Sequence, residues 1–285
     1  MNQEVINLYD EYTHKPLTRK NFISKLIKLT GSTAIAMSVL PLLENNYASA
    51  QTVTETDDDL IIKDVTYDGE GTSMKAYLAL PKSKKKLGSV IVIHENRGLN
   101  PHIKDVARRI AKAGFIALAP DALSPFGGTP ANEDEARDLF GKLNKQQNLQ
   151  SFLKAISYLK SLNESNGKTG CMGFCWGGAL SNQLAVNAPD LKTAVAYYGT
   201  QPAASDVHKI KAELLLHYGE LDQRVNAGIP EFETALKAAG TKYELYIYKG
   251  ANHAFNNDTS PSRYHEESAK LAWQRTISLF EKTLS

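Results

Sequence analysis

The stretch Gly170-Cys171-Met172-Gly173-Phe174-Cys175-Trp176-Gly177-Gly178 decides the fold. Within it, Gly173-Phe174-Cys175-Trp176-Gly177 carries the small-x-nucleophile-x-small pattern of a nucleophile elbow, with Cys where Ser is usual. A strand that turns sharply into a helix needs residues without side chains on both sides of the turn. The nucleophile then stands at the helix N-terminus, where backbone N–H groups and the helix dipole favour negative charge, and a thiolate gains from that placement. The flanks agree. Lys168 to Phe174 predicts a short buried strand, and Ala179 to Ala188 predicts a helix stopped by Pro189. A five-residue pattern arises often by chance, so a Gly-rich turn around a structural Cys competes with this reading until partners are found.

The partners lie downstream. In such enzymes an acid follows a later strand and a His follows the last one, in the chain order nucleophile, acid, His. The apolar run Glu213 to Tyr218 ends in Gly219-Glu220-Leu221-Asp222, and Tyr243 to Tyr248 ends in Lys249-Gly250-Ala251-Asn252-His253-Ala254-Phe255. Asp222 and His253 therefore fall just past the C-terminal ends of strands, where open α/β sheets gather their chemistry. A lone Asp there is usually a helix cap and a lone His a surface residue, but the ordered set points to Cys175, Asp222 and His253 as a triad.

With these residues the chain resembles the dienelactone hydrolases (carboxymethylenebutenolidases), a branch of the α/β-hydrolase superfamily with a Cys-Asp-His triad. The matching segments are His94-Glu95-Asn96-Arg97-Gly98-Leu99, Ala119-Pro120-Asp121, the Cys175 elbow, Gly219 to Asp222 and His253-Ala254-Phe255. They run from about Leu60 to the C-terminus. The resemblance implies an α/β-hydrolase fold, hydrolysis of small-molecule carboxylic esters or lactones through an acyl-enzyme thioester, and no cofactor. It further implies that Glu95 lies beside the resting thiol and takes part in switching it on. Cys175 would attack an acyl carbon, His253 would take and return the proton, and Asp222 would hold the imidazole in its tautomer. By placement, the oxyanion donors are the backbone N–H groups of Asn96 and Trp176.

One departure bears on substrate. The family holds a substrate carboxylate with two arginines, one of them four residues after the His, a position occupied here by Asn257. An Asn amide carries no charge and lacks the guanidinium fork, so neutral short-chain esters or lactones are expected, with Arg97 and Arg263 as the candidates to replace the clamp if the fold brings them in. The alternative to an enzyme is a protein that keeps the fold for ligand binding, or uses Cys175 only as a redox-sensitive thiol. Other chemistries lack their motifs. Gly167-Lys168-Thr169 lacks the phosphate-loop Gly at position 162, His94-Glu95 lacks the second His of a zincin at Gly98, and Cys171 and Cys175 form no Cys-x-x-Cys pair, so no metal site is expected.

Composition suits one α/β domain, with 42% hydrophobic and 22% charged residues, and a net charge of +2 gives no reason to expect nucleic acid. Past residue 60 the pattern alternates. A hairpin is predicted over Leu60 to Tyr67 and Ser73 to Leu80, with buried strands at Ser89 to His94, Phe115 to Ala119 and Lys192 to Tyr198. Helices are predicted at His102 to Ala113, Glu133 to Leu143, Leu149 to Leu162, Ile229 to Ala239 and Ser262 to Leu284. The result is a mostly parallel sheet covered on both faces, occupying residues 60–285.

Residues 1–50 read as lying outside that fold, and 51–59 as an acidic linker. Thr18-Arg19-Lys20-Asn21-Phe22-Ile23 is similar to a twin-arginine export motif whose second Arg is Lys, an apolar run from Leu29 to Leu43 follows, and Ala48-Ser49-Ala50 supplies a small-x-small cleavage signature. The apolar run is too short to span a bilayer, so no stable membrane anchor is expected after processing. Export to the periplasm or beyond is the expectation, and a disordered extension on a cytoplasmic enzyme is the alternative.

Overall fold

The computed structural model describes residues 1–15, 17–47, 51–83 and 85–285. The cleavage signature Ala48-Ser49-Ala50 lies outside the described residues. Eight strands form one sheet in the order β1-β2-β4-β3-β5-β6-β7-β8, with β1 Leu60–Asp68, β2 Ser73–Pro81, β3 Leu87–Ile93, β4 Ile116–Pro120, β5 Ser165–Phe174, β6 Thr193–Tyr197, β7 Glu213–Gly219 and β8 Tyr243–Tyr248. The β1–β2 hairpin and the β2–β4 pair are antiparallel, and every pair from β4 through β3 to β8 is parallel. This is the mostly parallel sheet that the strand patterns predict.

Period-two side-chain alternation makes two cores from one sheet. Ile91 and Ile93 of β3 and Leu214 and Leu216 of β7 face a core closed by α6 Lys145–Ser161, α7 Trp176–Asn187 and α9 Ile229–Ala239, through Phe152, Leu184 and Phe232. Val90 and Val92, with Leu215, face the opposite core, closed by α4 Pro101–Lys112 and α10 Glu266–Leu284 through Val106, Ile110 and Phe280. Buried on both faces, these strands read as continuous apolar runs. Two short helices, α5 Glu133–Phe140 and α8 Gln223–Asn226, lie in the loops on the carboxyl side of the strands.

Boundaries shift where local chemistry outweighs periodicity. α7 begins at Trp176, three residues before the predicted start, because the Cys175 carbonyl already accepts from the Ala179 N–H and the poor helix formers Gly177 and Gly178 are carried into the helix by packing. α10 begins at Glu266 and not at Ser262, since residues 257–264 are used in turns closed by Ser260 N–H to the Asn257 carbonyl and Tyr264 N–H to the Ser260 carbonyl.

The N-terminal region departs furthest from expectation. Where the sequence suggests an extension outside the fold, there are three helices: α1 Gln3–His14, α2 Arg19–Thr30 and α3 Thr33–Leu43. Asn2, Thr18 and Ser32 cap them with side-chain acceptors. Their apolar faces make a third core of Leu8, Tyr9, Tyr12, Phe22, Leu26, Ala36, Leu40 and Leu43, with Tyr12 stacked on Phe22 at 4.4 Å. α1 is also tied to the hydrolase domain. Gln3 donates to Asn252 at 2.5 Å, Arg224 pairs with Asp10 at 3.3 Å, and the Asn96 amide donates to the Thr13 carbonyl at 2.7 Å. Among the described residues no single helix is long and apolar enough to cross a membrane, although α2 and α3, bent by 116° at their junction, pass that test as a pair.

Candidate active site

Cys175 sits at the turn from β5 into α7 with φ 54° and ψ −112°, a left-handed conformation that a side-chain-bearing residue adopts only under constraint. Its N–H donates to the Tyr197 carbonyl at 3.0 Å, and its own carbonyl accepts from Ala179. The flanking glycines are required by contact. A Cβ on Gly173 would lie 2.0 Å from the Gly177 carbonyl oxygen, and one on Gly177 would lie 2.4 Å from that of Ile93. The thiol is nearly buried at the floor of a cleft of about 580 Å³ that Asn96, Phe140, Trp176, Tyr198 and Arg224 help to line.

Asp222 and His253 meet across the loops after β7 and β8, with His253 Nδ1 2.5 Å from Asp222 Oδ2. Asp222 also caps α8 by accepting from the Val225 N–H. Burial opposes its ionisation, and the His253 imidazole outweighs burial, so its carboxyl lies below the usual range. Across the ring from that pair, His253 Nε2 is buried and has no hydrogen-bond partner among the described residues.

The group in contact with the thiol is a residue that sequence reasoning missed. His14, the last residue of α1, places Nε2 3.0 Å from Cys175 Sγ and packs edge-on against His253 with ring centroids 4.7 Å apart. Its Nδ1 lies 2.9 Å from the Asp10 carbonyl oxygen and 3.1 Å from the Asp10 carboxylate. Burial works against protonation of His14, but the neighbouring Cys175 and Asp10 outweigh it and push its pKa up to about 8. The one available signal was the Asp10/His14 spacing of four on a helical pattern, which a leader-like reading of residues 1–50 hides.

Glu95, just past β3, is buried and accepts from Asn257 Nδ2 at 3.2 Å and Tyr198 hydroxyl at 3.4 Å. It lines a second, small cavity of about 20 Å³ together with Cys175, His253, Arg97 and Arg263. Asn257 is fully buried, with its amide oxygen accepting from Thr259 and its amide nitrogen donating to Glu95, so both ends of the side chain are engaged by the protein. Both candidate arginines do reach the site. Arg97 is buried, lies 3.7 Å from the Glu133 carboxylate and leaves Nη1 without an acceptor among the described residues. Arg263 donates to Ser260 at 3.0 Å and stacks over Tyr9 of α1 at 5.0 Å. Arg97 and Arg263 thus line the same small cavity as Cys175 and His253, the placement that the sequence required of any replacement for the missing Arg at Asn257.

Two matched segments have structural roles. Asp121 accepts from the Leu123 and Thr129 N–H groups and the Thr129 hydroxyl, ordering the loop after β4, while His94 accepts from the Ala122 N–H through Nε2 and stacks on Trp176. Both cysteines are free, and burial raises the Cys171 thiol to about 12, as suits a core residue.

The profile of the dienelactone hydrolase family matches residues 74–284. A protein of Saccharolobus solfataricus named "Putative carboxymethylenebutenolidase" is 34% identical over 258 residues, covering 77% of this chain and 98% of that protein. The crystal structure of a "Putative Dienelactone Hydrolase" from Klebsiella pneumoniae is similar with a TM-score of 0.71 and 31% identity, over 78% of this chain and 98% of the other. A dienelactone hydrolase-like promiscuous phosphotriesterase from metagenomic libraries shares the fold, with a TM-score of 0.72 at 22% identity over 80% of this chain and all of the other.

Proposed function

This chain belongs to the dienelactone hydrolase family and is a hydrolase, and from that premise we propose that it cleaves carboxylic esters or lactones by thiol catalysis at Cys175. The observation that carries the reading is the convergence, in one buried cleft, of a strained Cys at a helix N-terminus with a His already oriented by an Asp at 2.5 Å. His253 Nε2, without a hydrogen-bond partner among the described residues, takes the Cys175 thiol proton as the sulfur attacks the acyl carbon, and returns that proton to the leaving alkoxide. The thioester is then hydrolysed by a water that His253 deprotonates, while Asp222 stabilises the imidazolium in each half-reaction. The backbone N–H groups of Asn96 and Trp176 receive the oxyanion, and each donor of this kind typically lowers the barrier by about 2.7–4 kcal/mol.

Glu95 acts on the thiol's resting state. Its fixed geometry between Tyr198 and Asn257 supports a carboxylate held near Cys175 and not free to leave. Arg97 and Arg263 beside the same small cavity support an acyl group that carries a carboxylate, because Nη1 of Arg97 is a buried donor without an acceptor among the described residues. Hydrolysis of a chromogenic acetate ester by wild type and by Cys175→Ala tests the assignment of the nucleophile. Equal rates would discard it.

A further inference from the structure

The donor atoms His14 Nε2, Cys175 Sγ and His253 Nε2 all lie within 4.8 Å of one another, and the first two are 3.0 Å apart. Two imidazoles and a thiol form a soft donor set that suits zinc better than the hard cations magnesium and calcium. A tetrahedral zinc ion with bonds of about 2.0–2.3 Å holds such atoms about 3.3–3.6 Å apart, so His14 Nε2 and Cys175 Sγ, at 3.0 Å, must open by about half an ångström while any wider pair, at most 4.8 Å, closes. The outer shell is in place as well. His253 Nδ1 is held by the Asp222 carboxylate at 2.5 Å, and His14 Nδ1 faces the Asp10 carbonyl at 2.9 Å and its carboxylate at 3.1 Å. Metal-binding histidines are fixed in this way, with the far ring nitrogen on a carboxylate or carbonyl so that the near lone pair points at the ion. His253 itself is about 5% exposed, and its Nε2, aimed into the cluster, is buried with no partner among the described residues.

We propose that His14, Cys175 and His253 form a binding site for zinc that holds the hydrolase in an inactive, closed state. The three ligands come from α1, the nucleophile elbow and the loop after β8, so the ion would tie the N-terminal helix over the cleft. Binding displaces one proton from each ligand that carries one and forms one Zn–S and two Zn–N bonds, with no redox change. The charge of the dication is met by the thiolate and by the Asp10 and Asp222 carboxylates. A thiolate committed to zinc is no longer a free nucleophile, and an imidazole whose Nε2 lone pair is used cannot accept a proton. Sequence spacing could not reveal the site, since His14 and Cys175 are 161 residues apart.

The inhibitory part of this inference rests on Cys175 being the nucleophile, whereas the binding part does not. The full chain, stripped with a chelator, is titrated with Co²⁺ and followed by thiolate-to-cobalt charge-transfer absorption, with Zn²⁺ measured by calorimetry. One equivalent should bind, and the band should vanish in Cys175→Ser. His14→Ala should weaken affinity by more than the roughly 10–100-fold expected for Asp10→Asn, which removes only an outer-shell partner. Stoichiometric zinc should suppress ester hydrolysis, and a chelator should restore it. Absence of the band in wild type, or zinc affinity unchanged in both His14→Ala and Cys175→Ser, overturns the site, and retained circular dichroism excludes misfolding as the cause. Cobalt binding with the band in a protein that hydrolyses no ester would refute the functional reading and leave the metal site standing. Full hydrolysis at zinc saturation would refute the inhibition.

Discussion

Arg97→Met should remove most of any preference for an acyl group bearing a carboxylate. Arg97 is about 5% exposed, one of its nitrogens is buried without an acceptor among the described residues, and its distance of 3.7 Å from Glu133 makes that ion pair too loose to satisfy it. The cavity beside it, about 20 Å³, takes one water-sized group or one carboxylate oxygen and opens on Cys175 and His253. A carboxylate there completes a charge-assisted hydrogen bond worth about 1.5–3 kcal/mol, or roughly 10–150-fold in kcat/KM. Methionine keeps the length and apolar bulk of the stem while deleting the donors, so hydrolysis of the neutral ester should change little. The assay is kcat/KM for two esters that share a leaving group and differ only by a carboxylate on the acyl side. Wild type should favour the charged ester, and the ratio should collapse in Arg97→Met. A wild-type preference for the neutral ester, or a ratio unmoved by the substitution, would refute the clamp and return the pocket to a neutral substrate.

Asp222→Asn should lower kcat by several orders of magnitude, of the order of 10⁴ by analogy with other triads, while circular dichroism stays unchanged; near-wild-type turnover would remove Asp222 from the reaction. Glu95→Gln should raise the rate of iodoacetamide alkylation of Cys175 in the absence of substrate, and an unchanged rate would make Glu95 a purely structural carboxylate. Buried His217, held by Tyr248 and Thr276, has its pKa depressed to about 3 by burial and then by Arg275. The unfolded chain therefore binds one more proton between about pH 6.5 and 3, so this contribution is intact above pH 6.5 and lost as pH falls, at about 1.4 kcal/mol per unit. Urea midpoints of His217→Gln should show a flatter acid limb than wild type, and parallel limbs would count against it. Export with cleavage after Ala50 would remove α1 and His14 from the site, so the mass of the chain recovered from a host with twin-arginine transport separates two molecules: 51–285 supports export, and full length supports α1 as a working part of the enzyme.

What the sequence by itself determined was everything encoded over short distances. The strand-turn-helix around Cys175 follows from glycines whose absence would drive a Cβ into backbone, and Asp222 and His253 follow from the ends of two apolar runs. Continuous apolar runs at β3 and β7, and helical spacing along α4, were enough for a mostly parallel sheet covered on both faces, and the structure divides that burial into two cores. The rest was decided by tertiary structure. Asn257 bracing Glu95, and Arg97 and Arg263 meeting at one cavity, are contacts between loops distant in the chain, and no spacing rule describes them. Residues 1–50 show the cause most plainly. A basic stretch followed by an apolar run is compatible both with a leader and with three short amphipathic helices, because local composition is nearly the same for each. Whether residues 1–50 are also a leader is left to the export test, but where the apolar faces go is a tertiary matter: in the full-length chain they close on one another and set His14 against a thiol 161 residues away.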